Sequence, residues 1–466
     1  MLTIIAIILM PLIGLGVAGY LAFDLMKQKA AEEKAKIIAA QIKNGATIFL
    51  FKELKILAAL AVLLAVIMAL WPAFSWPAAL AFLIGVIIAG LMAFIGVKMA
   101  TIANVRTAEQ AGADLQNGLS PAFSASAIMG LIVVSLGLLG SSVLYLIFKE
   151  NQILYVFVFG LSLAALFLRI GGGIFTKSAD VSADIVGKLE AGVAEDDLRN
   201  PVVIADNVGD IAGDFIGAGA DWLSSYAGSL VAAVGLGLIF LPLLGSAAIL
   251  LPFLLGGAGL MAAALGILLI KFLKFDFYKI LNKIIWLASI FMAVISFFII
   301  KYTVQNMGLF WSFLIGLFGG LIICLITEYY TSEKRRPTKA LAEAAQSGPS
   351  INIIAGLSLG FFSVIMTTIV ELAIIYFAYK FGDIYGLALA SLGLLSVLGI
   401  NLAVNTFGPM VDNAAGIVEM AGMSPGIRKR LAEMDASGNT RAAMGKGLAM
   451  ASATLVALVF LFSFMR

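Results

Sequence analysis

The chain has 466 residues, of which 62% are hydrophobic and only 12% charged, and its mean hydropathy is +1.07. Such a balance excludes an ordinary water-soluble globule and reads as a polytopic membrane protein. The net charge of +3 says little about partners, and no nucleic-acid role is expected.

The expected fold class is all-α, a membrane helical bundle of about twelve transmembrane helices. The first apolar stretch, 1–23, has no basic start and no small-residue cleavage site, so it is expected to be a retained span rather than a signal peptide. Further apolar segments lie near 46–70, 77–98, 121–147, 152–177, 212–241, 244–270, 278–302, 307–330, 350–378, 383–410 and 440–465. The connections between them alternate. Every second one is short and nearly uncharged, as in "WPAFSWP" at 71–77. The others are charged, such as "KQKAAEEKAK" at 27–36, "EKRRPTK" at 333–339 and "RKRLAEMD" at 428–435. Lysine and arginine favour the cytoplasmic side, which puts the charged connections inside and both termini outside. The 48 glycines, spread through the spans, read as close helix packing. No low-complexity linker or internal repeat is evident, and 1–466 is expected to be a single domain. The single cysteine, Cys324, excludes an internal disulfide.

The absence of histidine limits the chemistry. Any base or metal ligand is a carboxylate, an amide, a hydroxyl or a backbone group, an inventory that suits Mg²⁺ and not zinc. Carboxylates crowd into 177–214. Lys177, Asp180, Asp184 and Lys188 are spaced three, four and four apart and form one stripe on a helix. Asp206, Asp210, Asp214 and Asp221 fall within an arc of roughly 80° and extend over about 22 Å of helix. A purely acidic stripe repels itself unless cations sit on it. Two such stripes face to face would make a carboxylate cup edged by lysines. That arrangement suits a magnesium–phosphate complex, with Asp214 placed to deprotonate a water. Asp221, deeper in the apolar span, is an ion-pathway candidate. The plainer reading, an acidic surface helix pair with no ligand, conflicts with "DNVGDIAGD" running on into a span, where unpaired aspartates are costly. No GxxxxGK[ST] loop is present, which argues against a nucleoside triphosphatase. Two further clusters pair polar residues seven apart on one helical face: Asp412 with Glu419, and Asn439 with Lys446.

Several long strings resemble the membrane-integral inorganic pyrophosphatases, ion pumps driven by pyrophosphate. They are "RIGGGIFTKSADVSADIVGKLEAGVAEDDLRNPVVIADNVGD", "EYYTSEKRRP", "SGPSINIIAGL", "FGPMVDNAAGIVEMAG" and "GNTRAAMGKG", in the family's order and covering essentially the whole chain. The resemblance implies Mg²⁺ bound by Asp180, Asp184, Asp206, Asp210 and Asp412. It implies pyrophosphate contacts from Lys177, Lys188, Asn439 and the loop residue Glu195, with Asp214 and Asp210 acting on the hydrolytic water. Arg169, Asp221 and Lys446 would belong to the ion pathway. Ala442 and Gly445 fall where the potassium-dependent branch carries small residues, which hints at K⁺ stimulation. A homodimer in the cell membrane, surrounded by lipid, is implied as well.

The sequence also departs from the family pattern. The family has sixteen helices, and this sequence matches through the twelfth. The unmatched four carry a second acidic and lysine-rich motif, so a second polypeptide supplying them is one expectation. Ser224 and Gly228 stand where the family has a gate glutamate, and Asn405 where it has an aspartate. Glu371, with no family role, is expected to lie against a polar helix face. The leading expectation is a pump exporting H⁺ or Na⁺ and hydrolysing Mg-pyrophosphate slowly by itself. The alternative is a non-catalytic Mg-pyrophosphate-binding membrane subunit or sensor.

Overall fold

The computed structural model describes residues 2–28, 32–113, 115–193, 196–272 and 277–465. In lipid every peptide group must be paired within the chain, which favours helices. The described residues are overwhelmingly helical and contain no strand. In chain order the helices are α1 (Leu2–Lys27), α2 (Glu33–Leu70), α3 (Trp76–Ala113), α4 (Leu115–Phe148), α5 (Asn151–Asp184), α6 (Val203–Gly209), α7 (Gly217–Ile239) and α8 (Leu241–Leu244). They continue as α9 (Ala247–Phe272), α10 (Phe277–Thr303), α11 (Met307–Thr331), α12 (Arg336–Ala345), α13 (Pro349–Leu394), α14 (Leu398–Asn405), α15 (Phe407–Met420) and α16 (Pro425–Phe464).

Eleven helical stretches among the described residues are long and apolar enough to cross a membrane. The protein is therefore a multi-pass membrane protein. The sequence suggested about twelve such stretches, and the difference lies at 383–410. The helix Pro349–Leu394 leaves helical geometry at Gly382 (φ −136°, ψ 15°) and Asp383 (φ 55°, ψ −156°), so one apolar rod ends there and another begins. The second rod does not run unbroken to 410. It is interrupted at 395–397 and again at Thr406, giving the short helices α14 and α15. Pro409 lies in the first turn of α15, where its missing N–H costs no helical hydrogen bond.

The chain around α7 is the buried centre, packed by α4, α5, α9, α13 and α16. Glycine permits the closest crossings. A methyl on Gly85 of α3 would overlap the carbonyl oxygen of Phe157 on α5, and one on Gly160 of α5 would overlap that of Phe82 on α3. The first part of α13 is different: Leu357, Phe361, Ile365 and Leu372 are all more than half exposed, an apolar surface suited to lipid. Glu371 sits half-buried on this rod. Among the described residues it makes no hydrogen bond or ion pair. Arg106 of α3 donates to the carbonyls of Met26 (3.2 Å) and Gln28 (3.1 Å), closing the C-terminal end of α1.

Two stretches depart from the α-helical register. Residues Ile185–Ala191 prolong α5, and Asp210–Ile216 join α6 to α7, both as wide π-type turns. Such turns shift the face on which later side chains emerge and often occur at functional sites.

The mutual Gly85/Gly160 crossing predicts that Gly160→Val lowers stability by about 1–3 kcal/mol. Gly16→Ala, where a methyl meets open space, is expected to change nothing. Thermal unfolding of the detergent-solubilised protein, followed by size-exclusion chromatography, checks both.

Candidate functional site

Five parts of the chain converge on one polar cavity of about 340 Å³. The last turns of α5 bring Lys177 and Asp180, and the connection to α6 brings Asp196. The α6 segment and its wide turn bring Asp206, Asn207, Asp210 and Asp214. Asp412 and Asn413 come from α15, and Arg428, Asp435 and Asn439 from α16. Among the described residues, seven carboxylates thus line the cavity against two cations, Lys177 and Arg428. Asp210 lies at the focus, where the charges of Asp412, Asp206, Asp214 and Asp180 all act on it. Lys177 Nζ is 2.9 Å from Asp180 Oδ2, and Asn439 Nδ2 donates to Asp435 Oδ2 at 3.0 Å.

Asp184 and Lys188 do not line this cavity. They pair with each other at 2.7 Å on the half-exposed continuation of α5. Glu195 lies outside the described residues. The acidic row also divides. Asp206, Asp210 and Asp214 line the upper cavity, whereas Asp221 lines a small chamber below. The wide turn at Asp210–Ile216 itself carries Asp210 and Asp214, so the regular spacing of an α-helix does not carry through to Asp221.

The lower chamber, about 30 Å³, has room for a water molecule. Arg169, Asp214, Asp221, Asn405, Ala442, Gly445 and Lys446 line it. Lys446 Nζ sits 3.1 Å from Asp214 Oδ1, and Arg169 Nη1 donates to the Gly213 carbonyl at 3.2 Å. Asp214 therefore belongs to both spaces. A methyl on Gly445 would come within 2.7 Å of the Asn405 amide, so the small residue and the asparagine fit one another. One turn below Asp221, the hydroxyls of Ser224 and Ser162 lie 2.7 Å apart. Gly228, a further turn down, faces Val456 and Phe460. Hydroxyls and apolar carbon fill this part of the bundle.

Asn207 and Asn413 tie α6 to α15. Asn413 Nδ2 donates to the Asn207 carbonyl, and Asn207 Nδ2 to that of Val203, both at 3.0 Å. Their own Oδ1 atoms are buried with no protein hydrogen-bond partner. An unpaired amide oxygen costs about 1–3 kcal/mol, which a cation or its water shell would remove. The donor set, carboxylates and amide oxygens only, fits Mg²⁺. Among the described residues no three acidic groups close on a single point.

Sequence reasoning missed Asp196, Arg428, Asp435, Asn207 and Asn413. A signal existed for the asparagines, since an Asp-Asn pair stands in both "ADNVGD" and "MVDNAAG". Asp435 lies one helical turn before Asn439. Asp196 and Arg428 are two charges among many in charged connections, and only the fold singles them out. A larger open cavity, about 790 Å³, lies on the other side of α16. It balances Glu328, Glu333 and Glu433 against Lys334, Lys429 and Arg441, so it carries no charge surplus to concentrate a cation.

A family model described as "Inorganic H+ pyrophosphatase" matches residues 12–466. The K(+)-insensitive pyrophosphate-energized proton pump 2 of Moorella thermoacetica is 38% identical, over 97% of this chain and 69% of its own length. A protein of Clostridium tetani named a putative K(+)-stimulated pyrophosphate-energized sodium pump is also 38% identical, over 97% of this chain and 68% of its own. The K(+)-stimulated pyrophosphate-energized sodium pump of Thermotoga maritima is 34% identical, over 98% of this chain and 70% of its own. With the match running through every element that builds the cavity, this chain belongs to the inorganic H⁺ pyrophosphatase family.

Proposed function

We propose that this membrane protein hydrolyses Mg-pyrophosphate in the carboxylate-lined cavity, on its cytoplasmic side, and exports H⁺ or Na⁺ through the chamber below. The observation that carries this reading is the sharing of Asp214 between the two spaces. In this reading Asp180, Asp206, Asp210 and Asp412 hold Mg²⁺, with Asp184 as a further ligand at the mouth. Bound there, Mg²⁺ would neutralise the phosphate oxygens and offset the crowding of negative charge. Lys177 and Asn439 bind pyrophosphate, with Lys188 and Glu195 proposed as further contacts. Asp214, with Asp210, orients a water and takes its proton as the water oxygen bonds to phosphorus and the bridging P–O bond breaks. A proton on Asp214 removes the charge that Lys446 faces. That change passes to Arg169 and Asp221 in the lower chamber, the start of the ion path.

The cation deficit sets the expected rate. With Lys177 and Arg428 the two cations on the wall, the departing phosphate lacks the charge partners such a reaction uses. Losing one preorganised partner typically costs about 10²–10³ in rate. We therefore propose slow turnover by this polypeptide alone, and faster turnover when a second polypeptide or a neighbouring protomer of a homodimer adds lysines. K⁺ stimulation is proposed from the small residues Ala442 and Gly445 on the wall of the lower chamber. The same deficit, with the Ser162–Ser224 pair, favours a second reading: a subunit or sensor that binds Mg-pyrophosphate without turnover. Calorimetry showing Mg-pyrophosphate binding with no phosphate release would select it.

Phosphate release by purified protein with Mg²⁺, with and without K⁺, is the decisive assay. Wild type is expected to release phosphate, and Asp210→Ala to reduce it at least roughly 10²-fold. No release at any Mg²⁺ concentration, even when lysine-bearing helices of a relative are supplied in trans, would overturn the enzyme reading. Millimolar Mg²⁺ is expected to raise the thermal midpoint of wild type, and to do so less in Asp206→Asn, because a ligand that binds only the folded state stabilises it. The Lys446–Asp214 pair is half-exposed at the lysine. A double-mutant cycle of Lys446→Met and Asp214→Asn is expected to give a stability coupling of about 0.5–1 kcal/mol, the modest value of a solvent-screened pair.

A further inference from the structure

Three consecutive basic residues open α16, and successive helical positions point about 100° apart. Arg430 Nη1 donates to the Ala111 carbonyl at the end of α3, 3.0 Å away. Lys429 lines the large balanced cavity, and Arg428 lines the carboxylate cavity. Arg428 reaches two carboxylates at once: its Nη2 is 2.7 Å from Asp196 Oδ2 and its Nε 2.8 Å from Glu419 Oε2. A guanidinium suits this bridging because its donors are fixed in one plane.

Asp196 is buried, with 9% of its surface exposed. Its Oδ1 lies where a methyl on Gly416 of α15 would come within 3.1 Å, and the Asn207 amide oxygen lies within 3.0 Å of the same methyl position. The carboxylate is therefore seated between α15 and α16 beside α6, and a side chain at 416 would displace it together with Asn207. The connection is held at a second point downstream, where Asn200 Nδ2 donates to the Ala183 carbonyl at 2.9 Å and its Oδ1 accepts from Val202 N–H at 3.1 Å. Truncating one partner of a partly buried charge pair leaves the other charge exposed to its full desolvation cost. The Arg428 contacts thus fix where the α5–α6 connection meets α15 and α16. From there they fix how α6 presents Asp206 and Asn207 to Asp412 across the cavity.

We infer that Arg428 is a positioning residue for this cavity, holding Asp196 of the α5–α6 connection and Glu419 of α15 together so that the two carboxylate-bearing helices face one space. The inference rests on the reading of that space as the pyrophosphate site, but its structural half does not. Arg199, in the same connection, is 75% exposed and reports on the anchorage through trypsin cleavage after it. The test uses the full chain in vesicles, without pyrophosphate, with cleavage located by mass spectrometry. Arg428→Gln is expected to speed cleavage after Arg199 roughly tenfold, and Arg428→Lys by less. Asp196→Asn keeps the side-chain shape and serves if Arg428→Gln does not fold. The double variant is expected to be no more susceptible than either single one. Unchanged cleavage in Asp196→Asn, or additive effects in the double variant, would overturn the inference. Where phosphate release is measurable, Arg428→Lys is expected to raise KM roughly tenfold and change kcat less than about twofold. A fall in kcat at constant KM would place Arg428 in the chemistry instead and overturn the positioning role. A wild type that releases no phosphate counts against the enzyme reading, while the cleavage comparison still decides the anchorage.

Discussion

Mutual repulsion among aspartates gathered at the end of a membrane-embedded bundle is the constraint on which the rest of the structure turns. Charges of one sign held close together in a poorly solvated setting are tolerable only with compensation. The protein compensates partly with its own cations. Lys177 takes Asp180, Lys188 takes Asp184, Lys446 takes Asp214, and Arg428 takes Asp196 and Glu419. These pairs stand around the rim and floor. At the focus, around Asp210, carboxylate faces carboxylate. Asn207 and Asn413 line the same cavity, and their amide oxygens are buried without protein donors. Carboxylates left facing one another in this way are the reason a hard divalent cation is proposed for the cavity.

The helices that meet this demand are held by features that have nothing to do with charge. Glycine lets α3 and α5 cross in backbone contact, and the Asn413–Asn207 bond locks α15 on α6. The break at 395–397 and Thr406 divides one apolar stretch so that α15 can enter the bundle with its own orientation. Asp412 reaches the cavity because of that break. A rod running straight through 383–410 would have carried the following residues along a single axis.

Much of this was legible in the residues. Apolar runs long enough to span lipid located almost every helix, and four-residue spacing put Asp206, Asp210 and Asp214 on one face. The wide turns were not legible, because they arise from which carbonyl a peptide N–H selects and leave no mark in composition or periodicity. They fall where the stripe divides: Asp206 and Asp210 line the upper cavity, Asp221 the lower chamber, and Asp214 both. The basic run 428–430 was legible as a topological signal only. Its division among a charge bridge, a second cavity and a helix cap depends on three neighbours distant in the chain. Asp196 carries no local signature that separates it from Asp197, yet one is buried on Gly416 and the other holds Arg199 at the surface.

The wide turn between Asp210 and Ile216 has a mechanical corollary. Such a turn accommodates an extra residue in the coil, and it can migrate when successive amides exchange one carbonyl acceptor for the next. During that exchange no peptide group need be left bare in the hydrocarbon, the condition that otherwise makes deforming a spanning helix prohibitive. Asp214 lies within this turn and lines both the upper cavity and the lower chamber, so the carboxyl that the two compartments share sits where the hydrogen bonding of the rod is least regular.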